Sequence, residues 1–367
     1  MIRVLRIASL LAAGLLLAGL TFSGSEPVQV RTIPLDIAAD FAPLLCGGRL
    51  YVFSSGGRNQ VMSPDETAPD CDPVQIIPLM QPSCGPTGPV LADRDGNLWQ
   101  MGKGVPAEVG RLQGPASQLV ALLPSRNGTV EVYADRIVLP GTQATPLPLK
   151  ATSAQRLAHG GFWVWNARSA ARLSPQGRLL WTWRPKGEGP GPAVLAGGLV
   201  LAGTSSGSLV ALSDAGGKQR YRYHSGGEIV NPPWVTGKLV IYASLDHLVR
   251  ALKIRSGQLA WQFRTDGRPS FGPYPVQAGL LFAEDPGQRL FILDPASGRE
   301  IWNWRVPKGA ILKAPAVAGD RAAVLAWSDT PEPTLYLVTL PPKPTPSKAE
   351  APHPAKPSAS KRKTPHP

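Results

Sequence analysis

Apolar and polar positions in the second half of the chain follow a repeat of 40 or 41 residues. Within one repeat, the apolar, β-branched run at residues 238–242 is followed by a polar break at 244–246 and a second run at 248–252. A turn at 255–257 then leads into a third run at 259–263. Short apolar runs between turn residues predict β-strands. A fixed period of this length predicts stacked copies of one supersecondary unit.

Glycines and aromatic residues mark the same period. A glycine recurs at intervals of 40, 40 and 41 residues, a large aromatic follows four residues later, and a second aromatic follows two residues after that. The glycine suits a hairpin turn that needs one residue at positive φ. Aromatics two apart on a strand share a face, so we expect them to pack together against the neighbouring unit. The three series are Gly177, Gly217, Gly257 and Gly298; Trp181, Tyr221, Trp261 and Trp302; and Trp183, Tyr223, Phe263 and Trp304.

Valines at 194, 235, 276 and 317 open four units, each followed by a glycine-containing turn. Four short strands per 40 residues predict the blade of a β-propeller. Similar openings near Pro43, Pro89, Leu119 and Arg156 raise the count to eight. We therefore predict an all-β, eight-bladed propeller with four antiparallel strands per blade, with seven blades as the alternative. The last blade is one strand short, and residues 28–35 are predicted to supply that strand and close the ring.

The repeat resembles the PQQ-like (quinoprotein-type) family, whose units end in Ala-x-Asp-x-x-Thr-Gly-x-x-x-Trp. Ala251, Ser256 (for Thr), Gly257 and Trp261 match this pattern in one unit. The family's aspartate is present at Asp294 only, and the other three units have different residues there: Leu173, Ser213 and Lys253. The match is good over 156–341 and loose over 43–155.

In size and layout the chain is most similar to the BamB-type scaffolds of outer-membrane protein assembly. The resemblance implies a non-catalytic scaffold for protein–protein contacts in a bacterial envelope, with the β-barrel assembly machinery as the partner. The alternative is a ligand-binding or PQQ-dependent dehydrogenase-like propeller with a site in its central channel. Dehydrogenases of that type hold the quinone against adjacent cysteines beside a calcium ion. This chain has no adjacent cysteine pair and no acidic cluster with calcium-loop spacing. We therefore expect no enzyme activity, no catalytic, cofactor-binding or metal residues, and no cofactor.

The two ends differ in composition from the middle. Residues 1–24 combine Arg3, Arg6 and a 16-residue apolar run, which predicts a signal peptide or an N-terminal anchor. Leu20 follows the small residues where BamB-type lipoproteins carry a cysteine, so we expect no lipid anchor. Residues 25–341 form the predicted propeller. Residues 342–367 hold eight prolines and six basic residues against one acid, which predicts a disordered basic tail. The tail would either contact an anionic wall or membrane surface or act as a spacer.

Export implies an oxidising compartment, the periplasm or cell envelope. Of the three cysteines, Cys71 and Cys84 flank a proline-rich loop within a long insertion at 54–88 and could pair, which would leave Cys46 buried and free. The alternative is that all three are reduced.

A basic or titratable residue follows each aromatic pair. All connections from one blade to the next emerge on one face of a propeller, so these residues should form an arc there, joined by Lys186, Lys308 and Lys313. We interpret the arc as a candidate rim for an acidic partner. The alternative is that each residue stacks on an aromatic ring or pairs with an acid such as Asp246, Asp266 or Asp285. We expect envelope protein partners, no nucleic acid, and a monomer within a complex. The candidate rim residues are Arg184, His224, Arg264 and Arg305.

Overall fold

The computed structural model describes residues 28–33, 35, 37–65, 74–102, 105–158, 160–328 and 332–343. The predicted signal segment, and the tail beyond its first two residues, lie outside these ranges. The described residues form β-strands and one 3₁₀ turn, Ala116–Gln118. Within them, no helix has the length and apolar character needed to cross a membrane.

The strands form eight antiparallel sheets, which confirms eight blades. Strand β1 (Val30–Ile33) comes first and belongs to the last blade. Blades 1 to 4 follow in order: β2 (Leu44–Cys46), β3 (Arg49–Val52), β4 (Arg58–Met62) and β5 (Val74–Gln75); β6 (Ser83–Gly85), β7 (Gly88–Ala92), β8 (Asn97–Gly102) and β9 (Val105–Arg111); β10 (Leu119–Ser125), β11 (Gly128–Tyr133), β12 (Arg136–Val138) and β13 (Thr145–Pro146); β14 (Ser153–Arg156), β15 (Phe162–Trp165), β16 (Ala170–Leu173) and β17 (Leu179–Trp183).

Blades 5 to 8 continue the pattern, and blade 8 has a first strand in two pieces. Their strands are β18 (Pro190–Ala196), β19 (Leu199–Thr204), β20 (Ser208–Ser213) and β21 (Gln219–His224); β22 (Trp234–Thr236), β23 (Leu239–Ser244), β24 (Leu248–Lys253) and β25 (Leu259–Arg264); β26 (Phe271–Val276), β27 (Gly279–Ala283), β28 (Arg289–Leu293) and β29 (Glu300–Arg305); and β30 (Ala310–Ile311), β31 (Ala316–Ala318), β32 (Arg321–Trp327) and β33 (Thr334–Thr339).

The ring closes as predicted, through a strand from before blade 1. β1 pairs antiparallel with β33, with Val30 opposite Val338 and Ile33 opposite Leu335. Ile33 is buried in a cluster with Leu50 of blade 1 and other side chains of blade 8. Blade 8 therefore gains its fourth strand and its seam to blade 1 from the same short segment. The pairing covers the edge of β33, which would otherwise be open to pairing with other chains, and makes β1 the outer strand of blade 8.

The predicted opening of blade 2 was wrong. Pro89 lies in the second strand, β7, and the first strand is β6. Segment 54–88 is likewise not one long insertion, because it contains β4, β5 and β6. These strands are short, with sequences such as Ser-Cys-Gly, so they lack the apolar alternation by which strands are recognised.

The aromatic pairs fill the seams between blades, as predicted. Trp181 and Trp183 are 8% and 9% exposed, and their ring centroids lie 5.9 and 6.3 Å from that of Trp163. The Trp181 indole N–H also donates to the Asp214 carbonyl of the next blade at 2.7 Å. Both rings thus add apolar burial at the seam with blade 5, and Trp181 adds one hydrogen bond across it.

Glycine is required at the periodic positions for two separate reasons. Gly217, Gly257 and Gly298 have φ near +70°, the region that favours glycine. Their backbones also lie against the aromatic ring of the preceding blade. A Cβ there would stand 2.7 Å from Trp181 and 2.4 Å from Tyr221 or Trp261. The periodicity predicts the first requirement, and only the structure shows the second.

The cysteine pairing differs from the sequence-based expectation. Cys46 is bonded to Cys84, with a Cα–Cα distance of 5.7 Å, so Cys46 is buried but not free. The bond joins β2 to β6, the first strands of blades 1 and 2, which the ring brings side by side. Closeness along the chain favoured Cys71, which lies outside the described residues. Closeness between neighbouring blades decides the pairing instead.

Candidate interaction surface

The chain path gives the disc two distinct faces. Loops from second to third strands and from one blade to the next share one face, for example 205–207 and 225–233, and we call it the connector face. Turns from first to second and from third to fourth strands share the other, for example 237–238 and 254–258, and we call it the turn face. A residue's position in its blade therefore assigns its face.

All four candidate rim residues are exposed on the connector face. Arg184 directly follows β17, and the other three end β21, β25 and β29. The alternation of side chains along the fourth strand turns the aromatic before each of them toward the seam and leaves the basic residue outside. The structure therefore places Arg184, His224, Arg264 and Arg305 at equivalent points of four consecutive blades.

Acidic neighbours neutralise the arc at blade 7. The Arg305 guanidinium lies 3.1 Å from a carboxylate oxygen of Asp266. The buried Arg289 lies 3.5 Å from the same oxygen and also pairs with Glu284 and Glu300. Arg305 thus matches the alternative interpretation, in which a rim cation serves an internal ion pair.

In blade 6, Asp246 is held by its own blade and by the loop that leads into it. Its carboxylate accepts hydrogen bonds from Arg250 at 2.6 and 3.0 Å and from the Gly226 N–H at 2.8 Å. Burial acts to raise the pKa of Asp246, but these hydrogen bonds outweigh it and hold the pKa below its usual value. Asp246 is therefore a structural carboxylate and does not offset the charge of Arg264.

In blade 5, Glu188 has the same kind of role. Its side chain is 3% exposed, pairs with Arg222 at 2.7 Å and accepts a hydrogen bond from the Thr204 hydroxyl at 2.7 Å. His224 lies nearby with its Nδ1 3.4 Å from the Ser208 hydroxyl oxygen. The Glu188 carboxylate therefore joins the loop before β18 to β19 and β21.

The lysines predicted to extend the rim differ from one another. Lys186 and Lys308 are exposed on connector-face loops. Lys313 is half-buried, and after the hydrogen bond from Ser55 its charge is a further cause that lowers the pKa of Asp40. The charge of Lys313 therefore stabilises the ionised form of Asp40, just before blade 1.

The basic end of the arc lies at blade 4. Arg184 lines a concavity of about 450 Å³ together with Lys150 and Arg168, over the apolar Pro148 and Leu149. No carboxylate is among the residues that line it. The Asn166 amide donates to the Lys150 carbonyl at 2.8 Å and accepts from the Arg168 N–H at 2.9 Å, which fixes the two loops against each other. We call this site the connector pocket.

The 40-residue period predicts Arg184 but neither Lys150 nor Arg168. Neither follows the 40-residue period, because each lies in a loop of its own length. Their positions in the blades do predict their face. Lys150 lies between blades 3 and 4, and Arg168 lies between the second and third strands of blade 4. Both classes of loop emerge on the connector face.

Two features of the described residues bear on the dehydrogenase-like alternative. No group of three or more His, Cys, Asp or Glu side chains is placed there to hold a metal ion. The first strands of blades 5 and 8 carry Ala193 and Ala316, which are buried and apolar. These strands offer no cluster of polar groups for a ligand.

Comparison with known families gives a match in the regular half. The model of a PQQ-type repeat family, described as outer membrane protein assembly factor BamB, matches residues 167–272 and 246–335. These residues span blades 4 to 8, where the glycine and aromatic series are found.

Curated relatives carry the same description. The chain is 28% identical over 136 residues to outer membrane protein assembly factor BamB of Nitrosomonas eutropha, covering 36% of this chain and 33% of that protein. It is 33% identical over 122 residues to BamB of Burkholderia pseudomallei, covering 31% of each. The matched region is thus about a third of the length of these relatives.

Among solved structures, BamB from Moraxella catarrhalis has a similar fold. The TM-score is 0.56, with 14% sequence identity, and the alignment covers 86% of this chain and 100% of that one. At this identity the likeness concerns the fold alone.

Proposed function

We propose that this chain, whose repeats are similar to those of the PQQ-like family, is a non-catalytic scaffold that supports outer-membrane protein assembly in a bacterial envelope. The observation that carries the proposal is the family match across residues 167–335, together with curated relatives described as assembly factors. A rigid disc with loops on both faces suits this role, because repeat architectures present broad surfaces to partners.

We further propose that the partner is a component of the β-barrel assembly machinery and that it docks on the connector face. Of the four rim positions, Arg184 has the strongest support, since it shares the connector pocket with two more cations and no carboxylate. Cations on a concave surface attract an acidic partner and speed its docking. Arg305 has the weakest support because Asp266 already pairs with it.

Localisation and mode of attachment are part of the same proposal. The scaffold would act outside the cytoplasm, directed there by the apolar segment at 1–24 and held near an anionic surface by the basic tail at 342–367. It would need no cofactor. Addition of PQQ and calcium should give no quinone absorbance, and a bound, redox-active quinone would favour the dehydrogenase-like alternative.

Affinity capture of the full chain from envelope extracts tests the proposal. A tagged wild-type chain should recover the β-barrel assembly machinery, identified by mass spectrometry. The triple variant Lys150→Ser/Arg168→Ser/Arg184→Ser should recover at least about fivefold less, because three cations leave one docking surface.

The matched control removes the same charge from the turn face. Exposed residues at the third-to-fourth-strand turns of blades 4, 5 and 7 provide it, in the variant Arg178→Ser/Lys218→Ser/Arg299→Ser. This variant should capture as the wild type does. Failure of the wild-type chain to recover any assembly component would overturn the function, and equal losses in both variants would overturn the docking face.

A further inference from the structure

Blade 6 carries a second cationic concavity, on the turn face and away from the rim. It has a volume of about 650 Å³ and lies at the seam between blades 5 and 6. Its floor is apolar, formed by Ala196, Val235 and the nearly buried Ile254. Its cationic side chains are Lys238, Lys253 and Arg255, and no carboxylate is among its lining residues. We call it the turn pocket.

The fold does not require these three cations. Strand register aligns Lys253 with Ser213 in blade 5 and with Asp294 in blade 7. The positions aligned with Lys238 and Arg255 hold small residues in blade 7, Ala278 and Ala296. The same turns therefore form in blade 7 without basic residues at these three positions, and the cations of blade 6 are free to serve another purpose.

Lys253 also replaces a residue that would stabilise the turn. In blade 7 the Asp294 carboxylate accepts hydrogen bonds from the N–H groups of Ala296 and Ser297, at 3.1 and 2.7 Å. Burial acts to raise the pKa of Asp294, but a hydrogen bond from the Ser297 hydroxyl, together with these two, holds the pKa below its usual value. Blade 6 lacks this cap, and Lys253 exposes its ammonium group at the same position. A change from a capping anion to an exposed cation has no structural benefit that the blade itself shows.

No acid within the described part of the chain neutralises the turn pocket. Among the described residues, no carboxylate oxygen lies within 4 Å of a charged nitrogen of Lys238, Lys253 or Arg255. Asp214, at the aligned turn of blade 5, is held by Arg172 of blade 4 at 2.8 Å. The field in the concavity is therefore positive, and its low-dielectric walls concentrate that field.

We propose that the turn pocket binds an acidic segment of a partner protein, in which an apolar side chain is flanked by carboxylates. The apolar side chain would cover Ile254 and Val235, and the carboxylates would pair with the three cations around them. An apolar centre with a charged rim is the usual anatomy of a protein contact. A small inorganic anion would leave the apolar floor uncovered. This site is separate from the connector pocket, so it stands independently of the proposed function.

Fluorescence anisotropy with the purified full chain tests this proposal. The probe is a labelled peptide in which one leucine is flanked on both sides by glutamates in a Gly/Ser background. The wild type should bind it, and Lys238→Ser/Lys253→Ser/Arg255→Ser should weaken binding by about tenfold or more. Raising the salt to about 0.5 M should weaken wild-type binding strongly, because the Debye length falls to about 4 Å.

Three controls make the result specific. The variant Arg178→Ser/Lys218→Ser/Arg299→Ser removes equal charge from the same face and should change the Kd by less than about twofold. A peptide with serine in place of leucine should bind at least about threefold more weakly, because the apolar floor loses its occupant. Inorganic phosphate should compete only weakly.

Several outcomes would overturn the proposal. Absence of peptide binding, an equal loss in both triple variants, or equal affinity for the leucine and serine peptides would each do so. Competition by phosphate at the concentration of the peptide would instead identify a small-anion site. None of these results depends on capture of the assembly machinery, so the two proposals fail separately.

Discussion

Blades 4 to 7 and blades 1 to 3 share one architecture but are held together differently. In the regular half, each seam is an interlock in which a glycine of one blade lies against an aromatic ring of the blade before it, as Gly257 does on Tyr221. In the first half, the seam of blades 1 and 2 is covalent, through Cys46 and Cys84. The seam of blades 2 and 3 has a small buried cluster of Ala92, Leu98 and Leu122.

The ring therefore constrains the angle between neighbouring blades more strongly than it constrains the kind of contact that holds them. Eight blades must meet at fixed angles, and any contact that fixes the angle is sufficient. Where the repeat kept its glycine and aromatic, van der Waals contact fixes it. At the seam of blades 1 and 2, a disulfide between neighbouring first strands fixes it, beside a buried apolar cluster that includes Phe53 and Leu91. The first half can therefore depart from the repeat pattern while the fold is retained.

Removing the disulfide should give the largest effect. Cys46→Ser/Cys84→Ser opens a crosslink between residues 38 apart and should destabilise the chain by about 3 to 4 kcal/mol. Denaturant titration followed by tryptophan fluorescence measures this. Hydrogen exchange should show the loss concentrated in blades 1 and 2, and a loss spread evenly over all blades would contradict the division drawn above.

Filling an interlock should cost nearly as much in the regular half. Gly298→Ala places a methyl group against the Trp261 ring at φ +72° and should destabilise by about 3 kcal/mol. The control Gly141→Ala has the same φ but no atom within 4 Å of the new Cβ, so only backbone strain of about 1 kcal/mol applies. Thermal unfolding of both variants gives the comparison. Equal shifts in Tm would show that the ring contact is unimportant.

Loss of a buried carboxylate should have a smaller, pH-dependent effect. Asp246→Ala leaves Arg250 buried without its partner and should cost about 2 kcal/mol at neutral pH. The pKa of Asp246 is lowered in the folded state, so its contribution is present above about pH 4 and is lost as the pH falls through the folded value. The free energies of unfolding of the wild type and of Asp246→Ala should therefore converge in acid.

An exposed pair in blade 3 provides the control for Asp246. Asp135 lies 3.1 Å from Arg136 but is largely exposed, so Asp135→Ala should change stability by less than about 0.5 kcal/mol at any pH. Denaturant titrations at neutral and acid pH measure both variants. If the difference in free energy of unfolding between the wild type and Asp246→Ala stays the same in acid, Asp246 is not a structural carboxylate.

Amide clamps at or just before the first strands of neighbouring blades should give the smallest effects, similar in both halves. Gln81 of the first half accepts from the Ala42 N–H at 2.8 Å and donates to its carbonyl at 3.0 Å. Gln155 joins Ala193 in the same way in the second half. Gln81→Ala and Gln155→Ala should each cost about 1 kcal/mol by denaturant titration. A large difference between the two would show that the halves also differ near the ring axis.

Much of the fold could be predicted because its strongest requirements act on single residues. Gly217, Gly257 and Gly298 tolerate no substitution without strain, so the period survives in the sequence. The apolar run before blade 1 predicted the closing strand for a similar reason, since one blade was visibly incomplete. Blade 2 was misplaced because the short strand β6 carries no alternation to recognise.

The candidate sites were less predictable, since they depend on which loops the ring brings together. The period gave Arg184 and its three equivalents, but it could not show that Asp266 neutralises Arg305 or that Lys150 and Arg168 join Arg184. The Cys46–Cys84 bond is of the same kind. Spacing along the chain carries no information about neighbouring blades until the blade boundaries are known.

The pairing of Val30 with Val338 has a mechanical consequence. Because β1 and β33 run antiparallel in one blade, the segment preceding residue 30 and the segment following residue 338 leave the disc at neighbouring points. Any tether at either extension holds the molecule by the same edge. The orientation of both faces toward a supporting surface is then set by blade 8.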